Sequence, residues 1–71
     1  MDWIYVKNTD GVVITINLSL VQSFWYEKDS DITIIEFARN NYPDVHVYGD
    51  ITANIRRLLN SHNHYVNQVG G

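Results

Sequence analysis

Up to about Tyr48 the apolar side chains recur at every second position, and beyond Gly49 they recur at every third or fourth. The first spacing is that of a pleated strand and the second that of a helix. Residues 2–7 are aromatic and β-branched, and Asn8-Thr9-Asp10-Gly11 follows as turn chemistry, with the glycine where φ can be positive. Residues 12–18 then alternate, Val12, Ile14, Ile16 and Leu18 on one side and Val13, Thr15 and Asn17 on the other. A bend at residues 17–19 leads to a third strand over 20–27. The polar run Glu27-Lys28-Asp29-Ser30-Asp31 reads as a hairpin tip, after which residues 32–38 return as a fourth strand. Residues 39–44 form a loop, Pro43 lacking an amide hydrogen and holding Tyr42 extended, and residues 45–48 form a fifth strand.

After Gly49, the residues Ile51, Ile55, Leu58, Leu59 and His62 fall at i, i+4, i+7, i+8 and i+11, one face of a helix. Asp50 is the expected N-cap, its carboxylate accepting from the first free amides at the positive end of the helix dipole. Arg56 and Arg57 fall towards water. The pattern predicts an α+β domain over residues 1–62: a bent antiparallel β-meander of about five strands, a partial barrel or an open sheet, followed by one carboxyl-terminal helix. Residues 63–71 read as a frayed tail or a short extra strand, with Tyr65, Val66 and Val69 keeping the second reading open.

The two faces of the strands sharpen this picture. Trp3 and Tyr5 oppose Ile4 and Val6, Phe24 and Tyr26 oppose Trp25, and Ile32 and Ile34 oppose Ile35 and Phe37. Both faces are therefore partly apolar. A helix of a dozen residues is ~18 Å long and covers one face only. The second face is hidden either by curling of the sheet or by another chain.

Composition adds constraints. A chain of 71 residues buries a small fraction of its surface, and with no cysteine it has no disulfide or thiolate metal site to help it. Stability has to come from a dense core or from association. An apolar share of 45% with nine aromatic residues suits a folded domain, and the apolar residues are too scattered for a membrane span. The stretch MDWIYVKN has no basic region followed by a long apolar run, so no secretory signal is visible and the cytoplasm is the expected compartment. A net charge of −3 weighs against nucleic acid, whose binding rests on phosphate neutralisation.

Candidate chemistry changes the picture little. His62-Asn63-His64 spells a nuclease motif, yet the nuclease draws those residues from dispersed positions around a metal. Contiguous on a helix end, the two histidines diverge by about 200°, and His46 is the only other imidazole. No metal ligand set and no cofactor are expected. The carboxylates Glu27, Asp29 and Asp31 lack the later glycine and glutamate of a calcium loop and read as a solvated tip. Arg56 and Arg57 with Arg39 lack the glycines of a phosphate cradle. No nucleophile motif is present, and a domain of this size has little room for a pocket, so catalysis is not expected.

The aromatic residues are the remaining feature. Trp3, Tyr5, Trp25, Tyr26 and Tyr48 form the candidate interaction patch, and Lys28, Arg39, Arg56 and Arg57 the candidate basic patch. The expected function is that of a non-catalytic protein-interaction module, self-associating as a homodimer through a sheet face or edge. The alternatives are a small nucleic-acid-binding regulator that uses the aromatic strand face with its lysines and arginines and, behind it, a metal-dependent activity through the histidines.

Overall fold

A computed structural model describes residues 3–62, the side chains of residues 61 and 62 excepted. The expected tail over residues 63–71 lies outside the described residues. Five strands and one helix follow in order: β1 (Trp3–Lys7), β2 (Val13–Asn17), β3 (Val21–Glu27), β4 (Ile32–Phe37), β5 (Val45–Tyr48) and α1 (Thr52–His62). All pairings are antiparallel, β1 with β2 in one sheet and β3, β4 and β5 in that order in a second. This is the α+β meander followed by a helix that the spacing predicts, and among the described residues the strands do not close a barrel.

The bend between β2 and β3 is where the meander divides into two sheets. Leu18–Leu20 forms a 3-10 turn, and the Asn17 side chain caps it, Oδ1 accepting from the Ser19 amide at 3.0 Å and the Ser19 hydroxyl at 2.7 Å. Asn and Ser side chains offer the backbone partners that compete with a strand ladder, so the chain turns here instead of continuing as strand. The first hairpin is closed the same way. Asn8 Oδ1 accepts from the amides of Asp10 and Val12, and Gly11 takes a φ of 83°, which glycine adopts without steric cost. At the β3–β4 turn the left-handed position falls to Asp31 (φ 57°), a residue type that tolerates it.

One core joins the elements. Val6 and Ile16 from the first hairpin, Leu18 from the 3-10 turn, Ile35, Val45 and Val47 from the second sheet and Ile55 from α1 are buried together. Phe24, Phe37, Leu58 and Leu59 pack against them, partly exposed. The inner face of the three-stranded sheet is thus shared between the hairpin and the helix. The amide of Thr9, in the hairpin turn, also donates to the carbonyl of His46 on β5 at 2.9 Å.

A buried threonine fixes the entry to the helix. Thr33 is 0% exposed; its hydroxyl donates to the carbonyl of Gly49 at 2.6 Å and accepts from the amide of Ile51 at 3.1 Å. These bonds hold the turn after β5, where Gly49 has a φ of 87°. Asp50 then takes the capping role expected of it, Oδ1 accepting from the Thr52 hydroxyl at 2.6 Å and amide at 3.0 Å. The Thr52 hydroxyl and then the Thr52 amide lower the Asp50 pKa from the ordinary carboxylate value, with a smaller contribution from Arg56. A carboxylate with a lowered folded pKa contributes stability above its ordinary pKa and loses it as pH falls through the lowered value. Asp50→Ala should therefore lower Tm at neutral pH, and the gap from the parent should narrow as the pH of a thermal melt series falls below the ordinary carboxylate pKa.

Candidate interaction surfaces

Strand alternation and register decide where each candidate aromatic residue stands. On the first hairpin the outward row pairs are Trp3 with Asn17, Tyr5 with Thr15 and Lys7 with Val13. Tyr5 is 79% exposed, and Trp3, Val12 and Val13 are all more than half exposed. Trp3 and Tyr5 thus share an apolar outer face with Val13.

The outer face of the three-stranded sheet is a second surface. Its rows are Glu27, Ile32 and Tyr48; Trp25, Ile34 and His46; and Ser23 with Glu36. Ile34 points away from the main core and is still only 8% exposed, flanked by Trp25 and His46 as its direct cross-strand neighbours. Trp25 is 39% exposed, its indole nitrogen reaching Glu27 Oε2 at 3.5 Å, and the Ser23 hydroxyl donates to Glu36 Oε1 at 2.6 Å. Trp25 and Tyr48 belong to this face, each beside an isoleucine of β4.

Tyr26 belongs to neither outer face. It pairs with Thr33, on the core side of the sheet, and its phenol donates to Asp31 Oδ1 at 2.6 Å across the β3–β4 turn. The five candidates are therefore divided: Trp3 with Tyr5, Trp25 with Tyr48, and Tyr26 turned inward. The hydrogen bond to Asp31, with some burial and the negative charges of Asp31 and Asp50, raises the Tyr26 pKa. Its neutral form is the one that fits the fold, so this contribution is present below the ordinary tyrosine pKa and is lost as pH rises through the raised value. In an alkaline titration followed at Tyr26, its ionisation should come above the ordinary tyrosine value, and Asp31→Asn should move it back down.

The candidate basic residues are spread over three parts of the fold. Lys28 is in the β3–β4 turn, Arg39 follows β4, and Arg56 and Arg57 lie on α1. Arg56 has its guanidinium carbon 5.9 Å from the centre of the Phe24 ring, a cation–π contact that holds this charge against β3. Among the described residues no three His, Asp or Glu side chains group where they could hold a metal ion. The side chain of His62, and all of Asn63 and His64, lie outside the described residues. Among the described residues no helix is long and apolar enough to cross a membrane.

The structure adds two open clefts that exceed the room expected for so short a chain. One, of about 390 Å³, runs between β1 and α1, from Ile4 and Val6 to Ile51 and Leu58. The other, of about 380 Å³, lies between β2 and the β4–β5 loop, with Ile14, Thr15, Ile16 and Asn17 on one side and Tyr42 and Pro43 on the other. Tyr42 is held by an edge-to-face contact with Phe37, ring centres 6.1 Å apart. The Tyr-Pro pair was visible in sequence as loop chemistry, but its position beside β2 depends on the tertiary fold. In comparisons with known proteins the chain matches no family model, no curated protein and no solved structure.

Proposed function

We propose that the protein is a non-catalytic protein-interaction module that associates with itself. The observation that carries this reading is the division of apolar surface. The helix and the first hairpin cover the inner face of the three-stranded sheet, while Trp3, Tyr5 and Val13 on one outward face and Trp25 and Tyr48 on the other stand exposed. Aromatic residues are enriched at the cores of protein interfaces, where their large surface is removed from water at low entropic cost. A small domain gains stability from association in proportion to what it cannot bury alone.

Sedimentation across a concentration series, with acrylamide quenching of tryptophan on the same samples, tests the reading. A mass that rises to that of a dimer, with at least one tryptophan becoming protected as it does, is the expected result. A monomer at every concentration, with unchanged quenching, would remove self-association.

A further inference from the structure

We propose that the outer edge of β2 pairs antiparallel with β2 of a second copy, about a two-fold axis at Thr15. The inference rests on the self-association reading and names the contact that carries it. It follows from comparing the edges that the two sheets leave. Along β1, the helix lies across the cleft from Ile4 and Val6, and the strand ends in Lys7. The β3 ladder is broken by a register shift between Val21 and Ser23, and the strand ends in Glu27. On β5, the His46 carbonyl is taken by Thr9, and Asp44 and Asp50 stand close to its two ends. Charges, bulges and covering elements are the means by which edges are kept from pairing. β2 carries neither charge nor bulge: its sequence is Val-Ile-Thr-Ile-Asn, the β4–β5 loop stands across a cleft from it without a ladder, and among the described residues no strand pairs with its outer side.

The hairpin turn tells which backbone groups face that side. The Asn8 amide donates to the Val12 carbonyl. Hydrogen-bonded and non-hydrogen-bonded pairs alternate in an antiparallel ladder, so Val6 with Ile14 and Ile4 with Ile16 exchange the bonds inside the hairpin. The amides of Val13, Thr15 and Asn17 consequently point outward, with the carbonyls of Val13 and Thr15. Centred on Thr15, a second β2 lets the two Thr15 residues exchange both bonds, and each Asn17 amide donate to the Val13 carbonyl of the other copy.

Charge agrees with this partner. Self-pairing sets Thr15 opposite Thr15 and Val13 opposite Asn17, so no charge meets its own kind, and the two Lys7 side chains fall at opposite corners of the four-stranded sheet. A β2 bearing one charge would repel its copy.

The absence of cysteine makes the test direct: Thr15→Cys carries the sole thiol. Directly opposed residues of a hydrogen-bonded pair have Cα atoms ~5.5 Å apart, inside the range a disulfide spans. Under mild oxidation Thr15→Cys should give a covalent dimer, and Tyr5→Cys, one strand further from the axis, should not. In parallel, Thr15→Pro removes an outward amide without touching the β1 ladder and should raise the dimer dissociation constant ~10-fold or more. Circular dichroism confirms that the proline variant folds, and if it does not, the thiol pair carries the test. A wild-type dimer that survives Thr15→Pro, with no covalent dimer from Thr15→Cys, would overturn the β2 contact and leave self-association standing through another surface. A monomer throughout would overturn both. A monomer whose Thr15 amide resists hydrogen exchange would show the edge covered within a single chain, and would also overturn the pairing.

Discussion

Ile35→Ala should cost about 2 to 5 kcal/mol, the range for a large aliphatic residue truncated in a close-packed core. Ile35 is 1% exposed at the centre of the middle strand, opposite Phe24 on β3 and Val45 on β5, and its core neighbours come from the hairpin and the helix as well. The site has few ways to collapse, because the strands on both sides are held by ladders and the covering elements are held by the same core. Domains typically have ~0.05 to 0.15 kcal/mol of stability per residue, which for this length gives about 4 to 11 kcal/mol in all. One truncated side chain would thus remove a large part of the stability. Urea denaturation measures it: the midpoint should fall steeply with little change in slope. A loss under about 1 kcal/mol would sink the assignment of Ile35 to the core. Tyr48→Ala, on the outer face, serves as the contrast and should change stability by no more than about 0.5 kcal/mol in the monomer.

Thr33→Val should cost about 1 to 3 kcal/mol although it preserves the shape of the side chain. The hydroxyl serves two backbone groups on the far side of the β5–α1 turn, accepting from Ile51 and donating to Gly49. Valine would leave both without that partner, and an unmade bond at a buried site costs the desolvation of each group. The penalty should fall unevenly. Native-state hydrogen exchange should show the amides of α1 losing more protection than those of the β3–β4 ladder, since the threonine ties the helix to the sheet. Equal loss throughout would mean that the bonds support the whole fold and not the helix in particular. Adding back space is no remedy at Gly49: a side chain there meets no atom within 4 Å, and its φ of 87° is what resists substitution.

The strands were legible because each alternates. Ile4 and Val6 point inward while Trp3 and Tyr5 point outward, and period-two spacing shows that much within a single strand. The helix was legible from the change in period and from Asp50, whose capping bond is made to a residue two positions away. What was hidden is non-local. The bend at Asn17 and Ser19 was visible, but whether a ladder would carry across it depends on how the two sheets meet. The aromatic patch looked like one group, because strand spacing gives the side of a residue relative to its neighbours and not relative to another sheet. Tyr26 illustrates this, facing Asp31 and the core side while Trp25 faces out. Thr33 sits in an apolar run as an ordinary strand residue, and its partners lie 16 and 18 residues away. The pairing of Tyr42 with Phe37, and its place beside β2, were beyond reach for the same reason.

Every ladder among the described residues joins strands that are neighbours in sequence. Among these strands no crossover has to be closed before a pairing is rewarded, and each hairpin can zip from its own turn. Chains with such short-range pairings search less on the way to the native state, because the entropy of closing a loop rises with its length. For this protein the slow event should then be the arrival of the first hairpin and α1 on the inner face of the second sheet, where the long-range side-chain contacts are made. Stopped-flow refolding should show hairpin signals developing ahead of burial at Ile55, with the helix, closed by Thr33, the last part to gain protection.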